Sequence, residues 1–233
     1  MALIELNKVS KTYRIDGLEL TAFSAESLQI NTGEFVCIAG PSGSGKTTLL
    51  NLIGAIDLPT AGSVSVSGRV TNGISPAESA QMRLDHIGFI FQSYNLIPVL
   101  TAYENVEYVL LLKGASAEER KSRVMAALDS VGLREMMKKL PKEMSGGQQQ
   151  RVAVARAIVA SPPIVIADEP TANLDSATGR ELVNLLHRLN QNRGTTFVFS
   201  SHDPMVIERA DRILTLRDGR IVDDRICPEG CTI

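Results

Sequence analysis

Gly40-Pro41-Ser42-Gly43-Ser44-Gly45-Lys46-Thr47 matches G-x-x-x-x-G-K-[ST] at every fixed position. Its flanks suit the chemistry of such a loop. Ahead lies Glu34-Phe35-Val36-Cys37-Ile38-Ala39, an apolar run that predicts a buried strand, and behind lies Thr48-Leu49-Leu50-Asn51-Leu52-Ile53, which predicts a helix. A strand that feeds a glycine-rich loop opening a helix aims successive backbone N–H groups, and the positive helix end, at one point. Phosphates fit there, with Lys46 reaching the β- and γ-phosphates and the Thr47 hydroxyl available to Mg²⁺. A chance glycine-rich turn would not carry both flanks. The stretch predicts a nucleotide site.

The 233 residues suffice for a large buried core, and 24 basic against 26 acidic residues leave no charge excess for binding nucleic acid. No apolar run reaches the ~18 residues of a membrane span, and Met1-Ala2-Leu3-Ile4-Glu5 is not a signal peptide. A soluble, cytoplasmic protein is expected, one that can still dock on a membrane partner. Cys37, Cys227 and Cys231 do not make a disulfide framework. Cys37 reads as core. Cys227-Pro-Glu-Gly-Cys231 lacks the second ligand pair of a zinc site and reads as a loose tail.

Taken in order, Ile4–Val9 alternates like a half-buried strand, Leu18–Ile30 is strand-like, and Ser63–Val66 alternates again. Ser75-Pro76-Ala77-Glu78 has the cap, first-turn proline and N3 acid of a helix start. Ile87–Phe91 is a short buried strand ending at Gln92. Capping boxes are predicted at Thr101/Glu104, Ser116/Glu119 and Ser145/Gln148, and residues 101–160 read as helices broken at Gly114, Gly132 and Pro141. Pro163–Ala167 and Thr195–Ser200 are apolar strands around a helix from about Ser176 to Asn192 that Gly194 stops, and Asp218-Gly219 is a hairpin turn. Alternating strands and helices argue for a mainly parallel sheet with its ligand at the carboxyl ends of the strands.

Several constellations fall at such ends. Asp168-Glu169 follows five apolar residues; the first acid can hold Mg²⁺, and the second can take a proton from water. Gln92 and His202 also follow buried strands, yet taken singly a surface glutamine and a structural histidine are the commoner readings. In Leu140–Arg151, Ser145 would cap a helix whose first turn holds Gly146 and Gly147, residues that cost a helix about 1 kcal/mol each. They suit a backbone that something must approach closely. This makes a second phosphate-grade helix end, far from the first, and one γ-phosphate has no need of both from the same chain. A site completed by a partner follows.

Gly40–Thr47 as Walker A, Ser145-Gly146-Gly147-Gln148, Asp168-Glu169-Pro170-Thr171, Asn173-Leu174-Asp175 and Ser201-His202-Asp203 occur in the order found in ATP-binding cassette (ABC) ATPases, which the chain resembles from Ile4 to Asp223. Phe89–Pro98 and Leu100–Val106 resemble the subfamily serving lipoprotein release and macrolide-type export. The resemblance implies an α/β P-loop NTPase fold: a RecA-like core, an N-terminal antiparallel β subdomain and an inserted α-helical subdomain at about 93–160, in one domain over 1–233. It implies ATP and Mg²⁺ as cofactors. Gly40, Pro41, Ser42, Gly43, Ser44, Gly45, Lys46, Thr47 and Thr48 would cradle the phosphates. Tyr13 would stack on adenine. Thr47, Gln92 and Asp168 would hold Mg²⁺. Glu169 would be the catalytic base, with His202 as the switch histidine and Gln92 contacting the attacking water. Asp175 would be the acid that crosses between subunits, and Ser145, Gly146, Gly147 and Gln148 would close the partner copy's ATP site. Ala172 departs from the glycine common in this subfamily, although its neighbours are intact.

The implied protein is the ATPase subunit of a transporter. Two copies would sandwich two ATP at the cytoplasmic face of the inner membrane, with the permease subunits as separate chains. A soluble ABC ATPase of DNA repair or translation is the alternative. Only 52 residues separate Gln92 from Ser145, with no heptad run or basic arm, which disfavours it and a nucleic-acid partner. The signature stretch and the Asp-Glu pair disfavour a P-loop kinase or GTPase. Leu96, Ile97, Val99, Leu100 and Tyr103 are expected either to receive the permease or to pack the helical subdomain.

Overall fold

The computed structural model describes residues 2–15 and 17–227. β1 (Ala2–Ile15) and β2 (Leu18–Asn31) form a long antiparallel hairpin, and the turn at Thr32-Gly33 leads into β3 (Phe35–Ala39), buried along its whole length. The glycine loop then opens α1 (Lys46–Ile53). β4 (Ala61–Val66) and the two-residue β5 (Arg69–Val70) follow, the latter too short to be legible as a pattern. Ser75 caps α2 (Pro76–His86) with a reciprocal bond to Glu78, and the chain passes directly into β6 (Ile87–Ile90).

Three helices come between β6 and the next strand: α3 (Ala102–Leu112), α4 (Ala117–Ser130) and α5 (Gly146–Ile158), with short 3₁₀ turns at Arg134–Met136 and Pro141–Glu143. The capping boxes at Thr101 and Ser145 form in both directions. That at Ser116 forms in one direction only. Its hydroxyl accepts from the Glu119 N–H, while the Glu119 carboxylate turns to Arg123, one helical turn on, at 2.9 Å. β7 (Ile164–Ala167), α6 (Ser176–Arg193), β8 (Thr196–Ser201), the single turn α7 (Pro204–Ile207), β9 (Arg212–Arg217) and β10 (Arg220–Ile226) complete the chain.

The ten described strands form one sheet in the order β5-β4-β1-β2-β10-β9-β3-β8-β7-β6. β9, β3, β8, β7 and β6 are mutually parallel, whereas β5, β4, β1 and β2 are antiparallel. The expected antiparallel N-terminal subdomain is thus continuous with the core, joined through β10, which pairs with β2 at Arg220 and Ser24. Of the nine pairings among the described strands, four are antiparallel and five parallel. Strand pairings such as β1 with β4 join segments about fifty residues apart, and no local pattern records them.

Two apolar layers cover the sheet. One joins Phe35, Phe197 and Phe199 to the inner faces of α3, α4, α5 and α6; the other joins Val36, Ile38 and Leu214 to α1 and the N-terminal hairpin. Gly88 on β6 lets the helical layer come close, since a Cβ there would stand 2.2 Å from the Ala157 carbonyl oxygen of α5. Cys37 is core as expected, its thiol pushed far up by burial. Cys227 is buried, disulfide-bonded, and donates its N–H to the Asp211 carbonyl at 2.6 Å. The expectation of a loose tail therefore fails at its first residue. Cys231 and the rest of that stretch lie outside the described residues.

Candidate functional site

Parallel register brings four strand ends together. Ala39 of β3 pairs with Ser201 of β8, Ala167 of β7 with Phe199, and Ile90 of β6 with Ala167. The residues that follow each strand, from Gly40, Gln92, Asp168 and His202, therefore surround one point. Gln92, Asp168 and His202 line a cleft of about 790 Å³ with Pro41, Ser42, Gly43, Gly45, Lys46, Thr47, Thr48, Glu169 and Ala172, whereas Gly40 and the buried Ser44, expected in the cradle, do not line it. That volume is of the size that holds a small-molecule ligand.

The loop owes its shape to contacts with other backbones. Gly40 and Gly45 have φ of 150° and 98°; a Cβ on Gly40 would stand 2.3 Å from the Leu216 carbonyl oxygen, and one on Gly45 2.6 Å from that of Ala22. Neither position admits a side chain. Lys46, 8 % exposed, reaches back to the carbonyl oxygens of Gly40 and Pro41 at 2.8 and 3.0 Å, with Glu169 at 3.7 Å. Its charge is thereby held at the loop's concave side.

Opposite, the Thr47 hydroxyl donates to Asp168 Oδ2 at 3.1 Å, which places two hard oxygen donors side by side. The other Asp168 oxygen accepts from Ser200 Oγ at 2.6 Å, and that same Oγ accepts from the Glu169 N–H at 2.9 Å. Glu169 sits at φ 46°, a left-handed conformation that a non-glycine residue adopts only when its surroundings impose it. His202 Nδ1 meets Glu169 Oε1 at 2.9 Å. The carboxyl group of Glu169 is thus fixed between an ammonium and an imidazole. Such a group can orient and deprotonate a water beside a bound phosphate.

Some expected residues lie elsewhere. Tyr13 does not line the cleft: its hydroxyl donates to Asp57 at 2.9 Å, and the Lys11 ammonium lies 5.0 Å from its ring centroid. Burial, with the hydrogen bond to Asp57, raises its phenol pKa. Ser145, Gly146, Gly147 and Gln148 do not line it either. Asp175 is the N-cap of α6, its carboxylate bonded to the N–H groups of Ala177 and Thr178 and to the Thr178 hydroxyl, bonds that lower its pKa. Close approach to Gly146 and Gly147 comes from the chain itself. A Cβ there would meet the Tyr94 hydroxyl at 2.8 Å and the Thr178 methyl at 2.6 Å.

Sequence reasoning missed Ser200, and it missed Leu20, Thr21, Ala22, Asp218 and Gly219, which close the cleft from two hairpins. Of the five apolar residues after Gln92, Leu96 and Tyr103 pack on the core, Ile97 and Leu100 are half-buried, and Val99 is 78 % exposed. Packing thus claims two of the five. Asn105, itself buried, holds this loop by bonds to both the N–H and C=O of Ile97 and to the carbonyls of Leu100 and Thr101.

Comparison with known proteins agrees with this geometry. Residues 23–172 match the ABC transporter family. The chain is 47 % identical over 223 residues to the uncharacterized ABC transporter ATP-binding protein MJ0796 of Methanocaldococcus jannaschii, covering 94 % of this chain and 95 % of that one. It is 43 % identical to the macrolide export ATP-binding/permease protein MacB of Syntrophobacter fumaroxidans, covering 95 % of this chain but spanning only 31 % of MacB. The dimeric structure of the MJ0796 cassette in a post-hydrolysis state, bound to ADP and Pi, superposes with a TM-score of 0.88 at 44 % identity, covering 98 % of this chain and all of that one.

Ser200→Ala would remove one group that fixes both Asp168 and Glu169. Nucleotide turnover should fall about 10- to 100-fold, the scale expected when reacting groups are misplaced, while nucleotide affinity changes less. Steady-state hydrolysis beside a binding titration measures the split. Unchanged turnover would show that Ser200 is only packing.

Proposed function

The chain belongs to the ABC transporter family, and from that premise we propose that it is the ATP-hydrolysing subunit of a membrane transporter, working as a pair of copies that share two ATP molecules. The observation that carries the reading is the division of its motifs. The phosphate loop, Asp168, Glu169 and His202 meet in one cleft, while the helix end at Ser145–Gln148 lies outside it. A second anion-binding helix end with no role in its own cleft suits the cleft of a second copy.

In this reading the N–H groups of the loop and Lys46 hold the phosphates. Thr47 and Asp168, joined by Gln92 at the cleft wall, offer the hard oxygen donors that Mg²⁺ prefers. When bound, the ion would screen the phosphate charge. Glu169, set by His202 and by the Ser200 bond to its N–H, takes the proton of the attacking water. Ser145, Gly146, Gly147 and Gln148 of the other copy complete the γ-phosphate's surroundings, with Asp175 near the seam. Tyr13, with its hydroxyl held by Asp57 beside Thr48, would offer a ring face to adenine.

The cassette would work against the transporter's membrane part at the inner membrane's cytoplasmic face. Among the described residues no helix is long and apolar enough to cross a membrane. The dock we assign is the groove between α2, α3, α5 and β6, about 360 Å³, lined by Phe89, Phe91, Val109 and the exposed Leu112, with Asn95 bringing in the segment that carries Leu96, Ile97, Val99 and Leu100. The name of MacB, an ATP-binding/permease protein, favours an exporter as the machine.

Two measurements follow. Glu169→Gln keeps the shape of the base and removes its basicity, so Mg²⁺-ATP should convert this variant from monomer to dimer by mass action, as read by light scattering. A mass independent of ATP would exclude shared sites. Leu112→Asp, at an exposed residue of the groove, should leave ATP hydrolysis by the isolated chain unchanged and abolish co-purification with the host's permease subunits. Undiminished co-purification would remove this groove as the dock.

A further inference from the structure

Gln150 is fully buried on α5, and one of its two polar atoms is unexplained. Its Nε2 donates to the Pro170 carbonyl at 2.6 Å, whereas its Oε1 is buried with no hydrogen-bond partner. The orientation follows from chemistry, since a carbonyl can only accept and the amide must turn its NH₂ side toward it. A buried acceptor without a partner costs stability, and an apolar side chain of the same shape would avoid that cost. The single bond to Pro170 is therefore the feature to explain.

That bond joins two parts of the chain with different tasks. Gln150 lies one helical turn beyond Gly146 and Gly147, on the face where Tyr94 and Thr178 approach them. Pro170 directly follows Glu169, whose left-handed backbone must be imposed from outside. Ser200 grips the Glu169 N–H from β8, and Gln150 grips the next carbonyl from α5. The base is therefore held from the sheet on one side and from the signature helix on the other.

We propose that Gln150 is a positioning residue that ties the two ATP sites of the dimer together within one chain. It rests on the shared-site reading above, in which the start of α5 serves the ATP of the partner copy while Glu169 serves the ATP of its own. A shift of α5 as its first turn seats on the partner's γ-phosphate then reaches Pro170 through one hydrogen bond and sets the neighbouring carboxyl group. Each copy's base is thereby adjusted by the occupancy of the opposite site.

Gln150→Met keeps the volume and removes both the donor and the orphaned acceptor. Loss of the orphaned Gln150 oxygen should offset most of the cost of leaving the buried Pro170 carbonyl without its donor, so thermal melts should shift little. Turnover should fall about tenfold, the KM for ATP should stay within twofold, and the Hill coefficient for ATP should drop toward one. Combined with Glu169→Gln, the substitution should leave the ATP-driven dimer intact. Unchanged turnover and Hill coefficient would overturn the proposal. So would a loss of turnover matched by equal losses of melting temperature and ATP affinity, which would mark Gln150 as packing; should Gln150→Met not fold, Gln150→Leu is read against the same criteria. If Glu169→Gln alone fails to dimerise with ATP, the shared-site reading falls and this link with it; if it dimerises normally and Gln150→Met turns over normally, only the link falls.

Discussion

Gly40 and Gly45 hold the phosphate loop against the carbonyl oxygens of Leu216 on β9 and Ala22 on β2, at separations that leave no room for a Cβ. The loop is wedged between the N-terminal hairpin and the last one, so its shape is set by three segments of the sheet. The rest of the site follows from this placement. α1 starts where the loop ends, Lys46 folds back across it, and Thr47 comes within hydrogen-bond distance of Asp168. The antiparallel part of the sheet therefore does more than cap the fold. Through Ala22 and Gly219 it forms one wall of the cleft.

The opposite wall depends on polar bonds made by buried side chains. Ser200 serves Asp168 and Glu169 together, Gln150 fixes Pro170, and Asn105 secures the backbone of residues 97–101. Ser200 and Gln150 tie the loop after β7 to elements 20 or more residues away, whereas Asn105 acts locally, within eight residues. A buried polar side chain is stable only where it is bonded, so each of these loops has one favoured arrangement. Arg156 contributes similarly, donating to the carbonyls of Tyr94 and Asn95, two residues with positive φ just past Gln92. The segment that leads to the expected dock is thus clamped to α5, the helix that begins with the signature.

Much of this was legible in the sequence because its signals are local. The strand–loop–helix at Gly40–Thr47, the acids after β7 and the histidine after β8 depend on residues within a few positions of one another, and all three meet in the cleft. The caps at Ser75, Thr101 and Ser145 were legible for the same reason. What was not legible is non-local. Ser200 looks like any serine ending an apolar strand, and only the pairing of β8 beside β7 puts it under Asp168. The bond of Tyr13 to Asp57 spans 44 residues and leaves no trace in either neighbourhood. Gly146 and Gly147 were read as open to a ligand, yet Tyr94 and Thr178 of the same chain also demand them.

The central claim is that each ATP site is built from two copies of the chain, the phosphate loop of one and the signature helix of the other. Mixing two inactive variants tests it most directly. Lys46→Ala disables its own loop and keeps its signature; Ser145→Arg does the reverse. In a mixed dimer the loop of the second faces the signature of the first, which restores one intact site. With random pairing, half of the dimers are mixed and each has one working site of two, so the mixture should recover measurable activity, up to about a quarter of the unaltered level. If each chain carried a complete site of its own, the mixture would be as inactive as its components, and that result would contradict the shared site.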